Sequence, residues 1–313
     1  MNHLRDRLKG DPLPWLLQSE DASVRYWTLT DILDRPLDDP EVLKARAAVA
    51  RQPLVRELFA LQQPQGHWGP DEAKPYTAQG AVAALTLLHM LAVTPDKRTY
   101  AGCDSFLRFS QHQAGGLSMT RTLRSGVFPC TTGAHLPFLV YFGFADDPRV
   151  RKAFAFLVED MSGDNALDCG RYQHRDCLWG AMAALNGLAV LPAAMRSAQS
   201  AQAVERLASA LLDARYDFEG EHKRWLTFSV PRGWDLMAAL KALAAHGYVR
   251  DRRFLALLDV LLTRQDDQGR WLCGSTWRTW PLDQRNRPSK WVTLDALRLL
   301  RTVSNQHSAR EIL

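Results

Sequence analysis

The segments QQPQGHW at residues 62–68 and QDDQGRW at residues 265–271 share one pattern: glutamine, three residues, glycine, one residue, tryptophan. QHQAGGL at residues 111–117 repeats it with Leu117 in place of the tryptophan. Trp68 and Leu117 lie 49 residues apart, and a further step of 50 reaches Leu167 in a degenerate copy. Trp225 follows 58 residues later and Trp271 comes 46 after that. A period of about 50 residues accommodates two helices and two connections, so it predicts stacked helical hairpins that share hydrophobic faces. The glycine permits a left-handed turn after the first helix of a pair. The tryptophan is expected to pack on the neighbouring repeat, and the glutamine to satisfy exposed backbone groups at a helix end.

A second register supports the repeat. Trp179, Trp234 and Trp291 each stand six residues before the leucine of an Ala-Leu junction (Leu185, Leu240, Leu297), and Gln79 holds the same place before Leu85. Helical periodicity runs through AQGAVAALTLLHML, RVRKAFAFLV, GAMAALNGLAVL, AVERLASALL, DLMAALKALAA, RRFLALLDVLL and VTLDALRLL. Several of these begin beside Pro, Asp or Ser and stop near Gly or Pro. The earlier stretches SVRYWTLTDIL and EVLKARAAVA also read as helical, and PWLLQSEDASVRYWTLTDIL looks like a HEAT-type helical pair. No strand pair, βαβ alternation, phosphate loop or G-x-S-x-G stands out, so the expectation is an all-α fold.

The composition of the 313 residues, 46% hydrophobic and 23% charged, is that of a globular chain and excludes disorder as its main state. No apolar run approaches the ~20 residues of a membrane span. The start, MNHLRDRLKGDP, lacks the apolar core of a secretory leader, which makes the cytoplasm the expected location. The net charge is +5, carried mostly by arginines that are dispersed without a basic block. Dispersion argues against a nucleic-acid footprint, although arginine-mediated binding stays open as an alternative. Five cysteines, an odd number in a chain read as cytosolic, argue against a disulfide framework.

The Q-x3-G-x-W turns resemble those of the prenyltransferase and squalene/hopene-cyclase superfamily over about residues 53–303. The resemblance implies an α/α toroid of helical-hairpin repeats around a central cavity. Residues 1–52 then form an N-terminal HEAT-like helical cap, and 304–313 a C-terminal tail. An open helical solenoid without a cavity is the alternative.

Cys130, Cys169, Cys177 and His174 are candidate metal ligands. Cys130 precedes one helix of the predicted inner layer, and the polar loop DCGRYQHRDC at residues 168–177 leads into the next. Adjacent inner helices would bring them together, and three thiolates with one imidazole form a tetrahedral Zn2+ set. Asp168, Asp176 and His135 are alternates for the fourth ligand, and separate buried thiols are the simpler alternative. Protein prenyltransferase β subunits hold zinc with an Asp, a Cys and a His. Here Asp168 and Cys169 are adjacent instead of separated by one residue, and the candidate histidine follows closely. The chain is thus more similar to uncharacterised bacterial toroid proteins with three cysteines in this region.

The cyclase branch uses a D-x-D-D acid motif, which this sequence lacks. Its Asp pairs at 38–39, 146–147 and 266–267 lie in polar turns and read as helix caps. Asp235 beside Trp234 is instead the candidate general acid, or else a charge at a helix N-terminus. Phe138, Tyr141, Phe142, Trp179, Phe228, Trp234, Trp277, Trp280 and Trp291 are candidate lining for an apolar, isoprenoid-like ligand, since aromatic faces stabilise carbocations. The same residues would also make an ordinary core. Arg278, Arg285, Arg287 and Lys290 are candidates to hold an anion, or form a solvated loop. A non-catalytic, zinc-stabilised scaffold for a lipid or peptide is the second functional expectation.

Overall fold

The computed structural model describes residues 7–18, 20–119, 127–163, 166–168, 177–216, 218, 225–231 and 233–308. It is mostly helical, as the sequence predicts. The chain begins with α1 (Leu13–Leu16), α2 (Ala22–Trp27), a π-helical turn (Thr28–Ile32), α3 (Pro40–Val49) and α4 (Pro53–Ala60). It continues through α5 (Ala81–Met90), α6 (Lys97–Ser110), α7 (Pro129–Tyr141), α8 (Pro148–Ser162), α9 (Leu178–Ala189) and α10 (Ala198–Asp213). The last part contains β1 (Ser229–Val230), α11 (Leu236–Ala245), α12 (Arg252–Leu262), β2 (Ser275–Thr276) and α13 (Lys290–Ser308). The parallel β1–β2 pair, two residues per strand, is too short to leave a period in the sequence.

Two compact units divide the chain. One holds both chain ends: Met1–Val55, Met90–Val93 and Arg215–Leu313. The other is built from Arg56–His89 and Thr94–Ala214.

In the second unit α7 packs on α9 and α8 on α10, so like helices of successive pairs are neighbours. Gly133 and Gly187 make the α7–α9 approach possible, since a Cβ on Gly133 would lie 2.3 Å from the Ala183 carbonyl oxygen. The turn motif works at atomic detail. Gln62 Nε2 donates to the Gly66 carbonyl of its own turn and to the Arg98 carbonyl at the start of α6, both at 2.8 Å. Gln111 Nε2 does the same to Gly115 (2.9 Å) and to Arg149 at the start of α8 (2.6 Å). Gly66 (φ 95°) and Gly115 (φ 98°) hold the left-handed turn. They also lie beneath the next helix, where a Cβ would meet the carbonyls of Ala101 and Lys152 at 2.5 and 2.8 Å. Trp68 donates from Nε1 to Leu58 (2.6 Å) and lays its ring on Gly102 of α6.

The unit with the chain ends reuses this device. Trp271 Nε1 donates to the Leu261 carbonyl at 3.0 Å, ten residues back, as in Trp68. Gln265 Nε2 bonds Leu262 (2.9 Å) and, in place of a following helix, the Arg7 carbonyl (3.0 Å). Gly269 (φ 72°) faces Gly10, three residues after Arg7, as Gly66 faces Ala101 three residues after Arg98. A non-helical strap at residues 7–10 therefore stands where the other turns meet the first turn of the next helix. Around it α11 packs on α12 and α13, and α2 packs on α3. Tyr26, Leu29, Val42, Ala45 and Ala92 form a core at the α2–α3 pair. The helix predicted over SVRYWTLTDIL widens after Trp27 into the π turn. There Thr28 and Thr30 return their hydroxyls to the carbonyls of Val24 (2.7 Å) and Tyr26 (3.2 Å), competing with the backbone ladder. The segment expected as a tail from residue 304 is helical as far as Ser308.

The ring of Trp68 leaves no room above Gly102, where a Cβ would lie 2.6 Å from Cζ3. Gly102→Ala is expected to cost about 1–3 kcal/mol by overpacking, read as a lower urea midpoint. At Gly180 a Cβ would make an ordinary 3.5 Å contact with Cys177 Sγ, so Gly180→Ala should leave the midpoint unchanged or raise it.

Candidate functional site

Asp235 is the best-built titratable group in the unit that carries both chain ends. It caps the N-terminus of α11 and is 2% exposed. Its Oδ1 accepts from the backbone N–H of Ala238 at 3.1 Å, and its Oδ2 from that of Ser229 at 2.9 Å. Ser229 belongs to β1, so the short β1–β2 pair aims a strand donor at this carboxyl. Burial pushes Asp235 up to about 7, against the lowering effect of the two backbone donors and of Lys241; Asp295 nearby pushes it up further. Lys241 itself is held by Asp295 at 2.6 Å, and Arg298 bridges Asp295 to Asp31.

The same unit holds Phe228, Trp234, Trp277, Trp280 and Trp291. Phe228 precedes β1, and its carbonyl accepts from Gly274 (2.8 Å) and Ser275 (3.2 Å), which ties the approach to Asp235 to the segment before Trp277. Phe228, Trp280 and Trp291 are buried, while Trp234 and Trp277 are half-buried. In the other unit, Phe138 and Phe142 are fully packed on α7 and its end. Phe138 stacks edge-on with Phe106 of α6 (5.5 Å) and with His135 (5.6 Å), and thus serves the core between helices instead of presenting an open face. Tyr141 is half-buried against His89 (4.7 Å), and Trp179, at the start of α9, is 37% exposed.

Of the predicted metal ligands, Cys169 and His174 lie outside the described residues, as does Asp176. Cys130 sits in the first turn of α7 and Cys177 caps α9, both half-buried, on helices that pack together. Cys177 Sγ accepts from the Gly180 N–H at 3.4 Å. The Cys177 N–H donates to the Leu167 carbonyl (2.9 Å), so the loop between them starts and ends at one point. Asp168 is exposed. His135 gives its Nδ1–H to the Thr131 carbonyl (2.5 Å) and is ringed by Tyr76, Phe106 and Phe138. Among the described residues no three His, Cys, Asp or Glu side chains converge as a metal set.

The predicted anion group runs from the segment after β2 to the first residue of α13. Arg278, Arg285 and Arg287 are exposed. Lys290 is drawn instead to Glu20 (3.8 Å) and over the ring of Trp15 (5.7 Å). Sequence reasoning missed Asp283 in this stretch. Burial pushes it up to about 6, while the Ser289 hydroxyl donates to it at 2.6 Å. It lay hidden in a segment whose basic residues dominate the reading. Also missed were Thr132 and Thr293, fully buried hydroxyls that accept from the backbone N–H of Leu117 (2.9 Å) and Trp271 (3.0 Å) at the ends of their turns.

These features define a mostly helical chain with a buried, proton-retaining carboxyl at a helix start. Two solved structures share its fold: the type II terpene cyclase MstE from Scytonema without ligand, and an arginine-to-alanine variant of that enzyme in complex with its substrate, geranylgeranyl dihydroxybenzoate. The first is 15% identical with a TM-score of 0.51, over 98% of this chain and 100% of that one. The second is 15% identical with a TM-score of 0.50, over 92% of this chain and 88% of that one. The fold is terpene-cyclase-like. No family model matches the chain, and no curated protein matches it in sequence. No described helix is long and apolar enough to cross a membrane.

Because Asp235 is raised from 3.8 to about 7 in the folded chain, folding favours its protonated form. The stability this contributes is complete below pH ~4 and is lost as pH rises through 7, a difference on the order of 4 kcal/mol. The melting temperature is expected to fall between about pH 4 and 7, and Asp235→Asn should flatten that decline while keeping the bond from the Ala238 N–H.

Proposed function

We propose that this chain is a terpene-cyclase-like enzyme that takes an isoprenoid-like ligand, with Asp235 as its general acid. The observation that carries this reading is the buried Asp235 carboxyl, raised to about 7 at the start of α11 and accompanied in the same unit by Phe228, Trp234, Trp277, Trp280 and Trp291. A carboxyl that keeps its proton near neutral pH can deliver it. In that step the Asp235 O–H bond breaks as a C–H bond forms on an alkene carbon. Asp235 is left as carboxylate, and the adjacent carbon is left as a cation for aromatic faces to stabilise. The cation closes onto a second alkene and then releases a proton to water. The finer α/α-toroid reading is supported by the Gln265–Arg7 bond, which repeats the link between successive pairs at the two ends of the chain.

We further propose that Cys130, Cys169, Cys177 and His174 hold Zn2+. Support comes from two half-buried thiols at the starts of packed helices and from a loop whose ends meet at Cys177. Four protein ligands would make the ion structural, tying α7 to α9. The scaffold reading, a lipid or peptide binder without chemistry, is favoured by one observation: Phe138, Phe142, Trp280 and Trp291 are buried as packing.

Incubation with C10 to C20 prenyl substrates, followed by product analysis, is expected to show cyclised products, and Asp235→Asn to lower turnover about 10²–10⁴-fold without loss of folding. Unchanged turnover in that variant would remove Asp235 as the acid; ligand binding without turnover in the native chain would establish the scaffold. Metal analysis should find about one zinc per chain, with Cys177→Ser losing both metal and melting temperature. Metal-free native protein of unchanged stability would overturn the zinc site.

A further inference from the structure

The strap at residues 7–10 is not helical. Beside it, in the unit that carries both chain ends, lies a cavity of about 320 Å³. Leu297 and Leu300, on one stripe of α13, are its apolar wall, with Ile32 from the π turn and Leu13 from α1. Two charged side chains of opposite sign join them, Asp11 and Arg301. Asp11 Oδ1 accepts from the Leu13 N–H at 3.0 Å, and its other oxygen is a further acceptor. Arg301 donates to the Asp31 carbonyl and to Asp34 Oδ1, and its fork carries further N–H groups.

We propose that this cavity is a binding site for a small neutral amphiphile: an apolar molecule of about ten non-hydrogen atoms with a hydroxyl head. The volume sets the size, at ~30 Å³ for each water-sized group. The leucines and Ile32 take the apolar body. The pair of opposite charges selects the head, because a carboxylate would face Asp11 and an ammonium would face Arg301. A hydroxyl donates to the first and accepts from the second. Asp235 is not among the lining residues, so the site stands whether or not that carboxyl is an acid.

The probe is geraniol, a ten-carbon prenyl alcohol, titrated by calorimetry into the full chain beside geranic acid and geranylamine at pH 7. Geraniol is expected to bind in the sub-millimolar range, and both charged analogues roughly tenfold more weakly. Leu13→Trp fills the cavity and should weaken geraniol about tenfold. Asp11→Asn keeps the bond to the Leu13 N–H but removes the one carboxylate among the lining residues, so geranic acid should gain roughly tenfold. This exposed substitution decides the matter if Leu13→Trp does not fold. Geraniol that fails to bind, that binds no better than its charged analogues, or that binds a folded Leu13→Trp equally well overturns the proposal. So does an Asp11→Asn variant that leaves the affinity for geranic acid unchanged.

Discussion

The side-chain amide of the turn glutamine is the link on which the repeats depend. One nitrogen carries two N–H donors, and each turn spends one on its own glycine carbonyl or helix end and the other on the next segment. A glutamate at that position would be ionised and acceptor-only, and so unable to reach either carbonyl. Each such bond contributes about 1 kcal/mol net, but its geometry sets where the neighbour sits. The glycine below it then lets the two backbones touch, and the Trp68 ring fills the gap at Gly102.

The repeat also accounts for the position of Asp235. A hairpin stack aligns the starts of like helices, and a helix start offers unpaired N–H groups to any cap. Asp235 takes that role at α11, as Cys177 does at α9. What sets Asp235 apart is burial: its donors come from α11 and from β1, with the carboxyl itself only 2% exposed. The half-buried caps Asp96, Asp147 and Asp251 are held low instead. Asp251, paired with Arg253 on the surface, is pulled down to about 2.

Much of this was legible in the residues. Every apolar period named in the sequence corresponds to a helix, because an amphipathic helix must show a face every 3.6 residues. The roles of Gln62, Gly66 and Trp68 followed from what an amide, a glycine and an indole can do at a turn. Less legible was anything set by neighbours far along the chain. Phe138 carries the same aromatic chemistry whether it faces a cavity or Phe106, and only packing distinguishes the two. Asp283 gains its raised pKa from burial and from the nearby Asp21 charge, against the lowering effect of the Ser289 hydroxyl, and neither burial nor Asp21 leaves a spacing signal. Lys290 belonged by sequence to a basic loop, yet its position draws it to Glu20 and Trp15.

The sequence by itself determined the helical class, the hairpin period and the chemistry of the turn, since each depends on residues within about one repeat. The tertiary structure alone decided that Arg7 and Gly10 take the place of a following helix, that α2 widens into a π turn, and that a cavity remains between the strap and α13. The first and last of these join residues more than 250 positions apart, as in the bond from Gln265 to Arg7. Local patterns carry no record of such separations; only the volume left by packing, and the charges that happen to face it, define them.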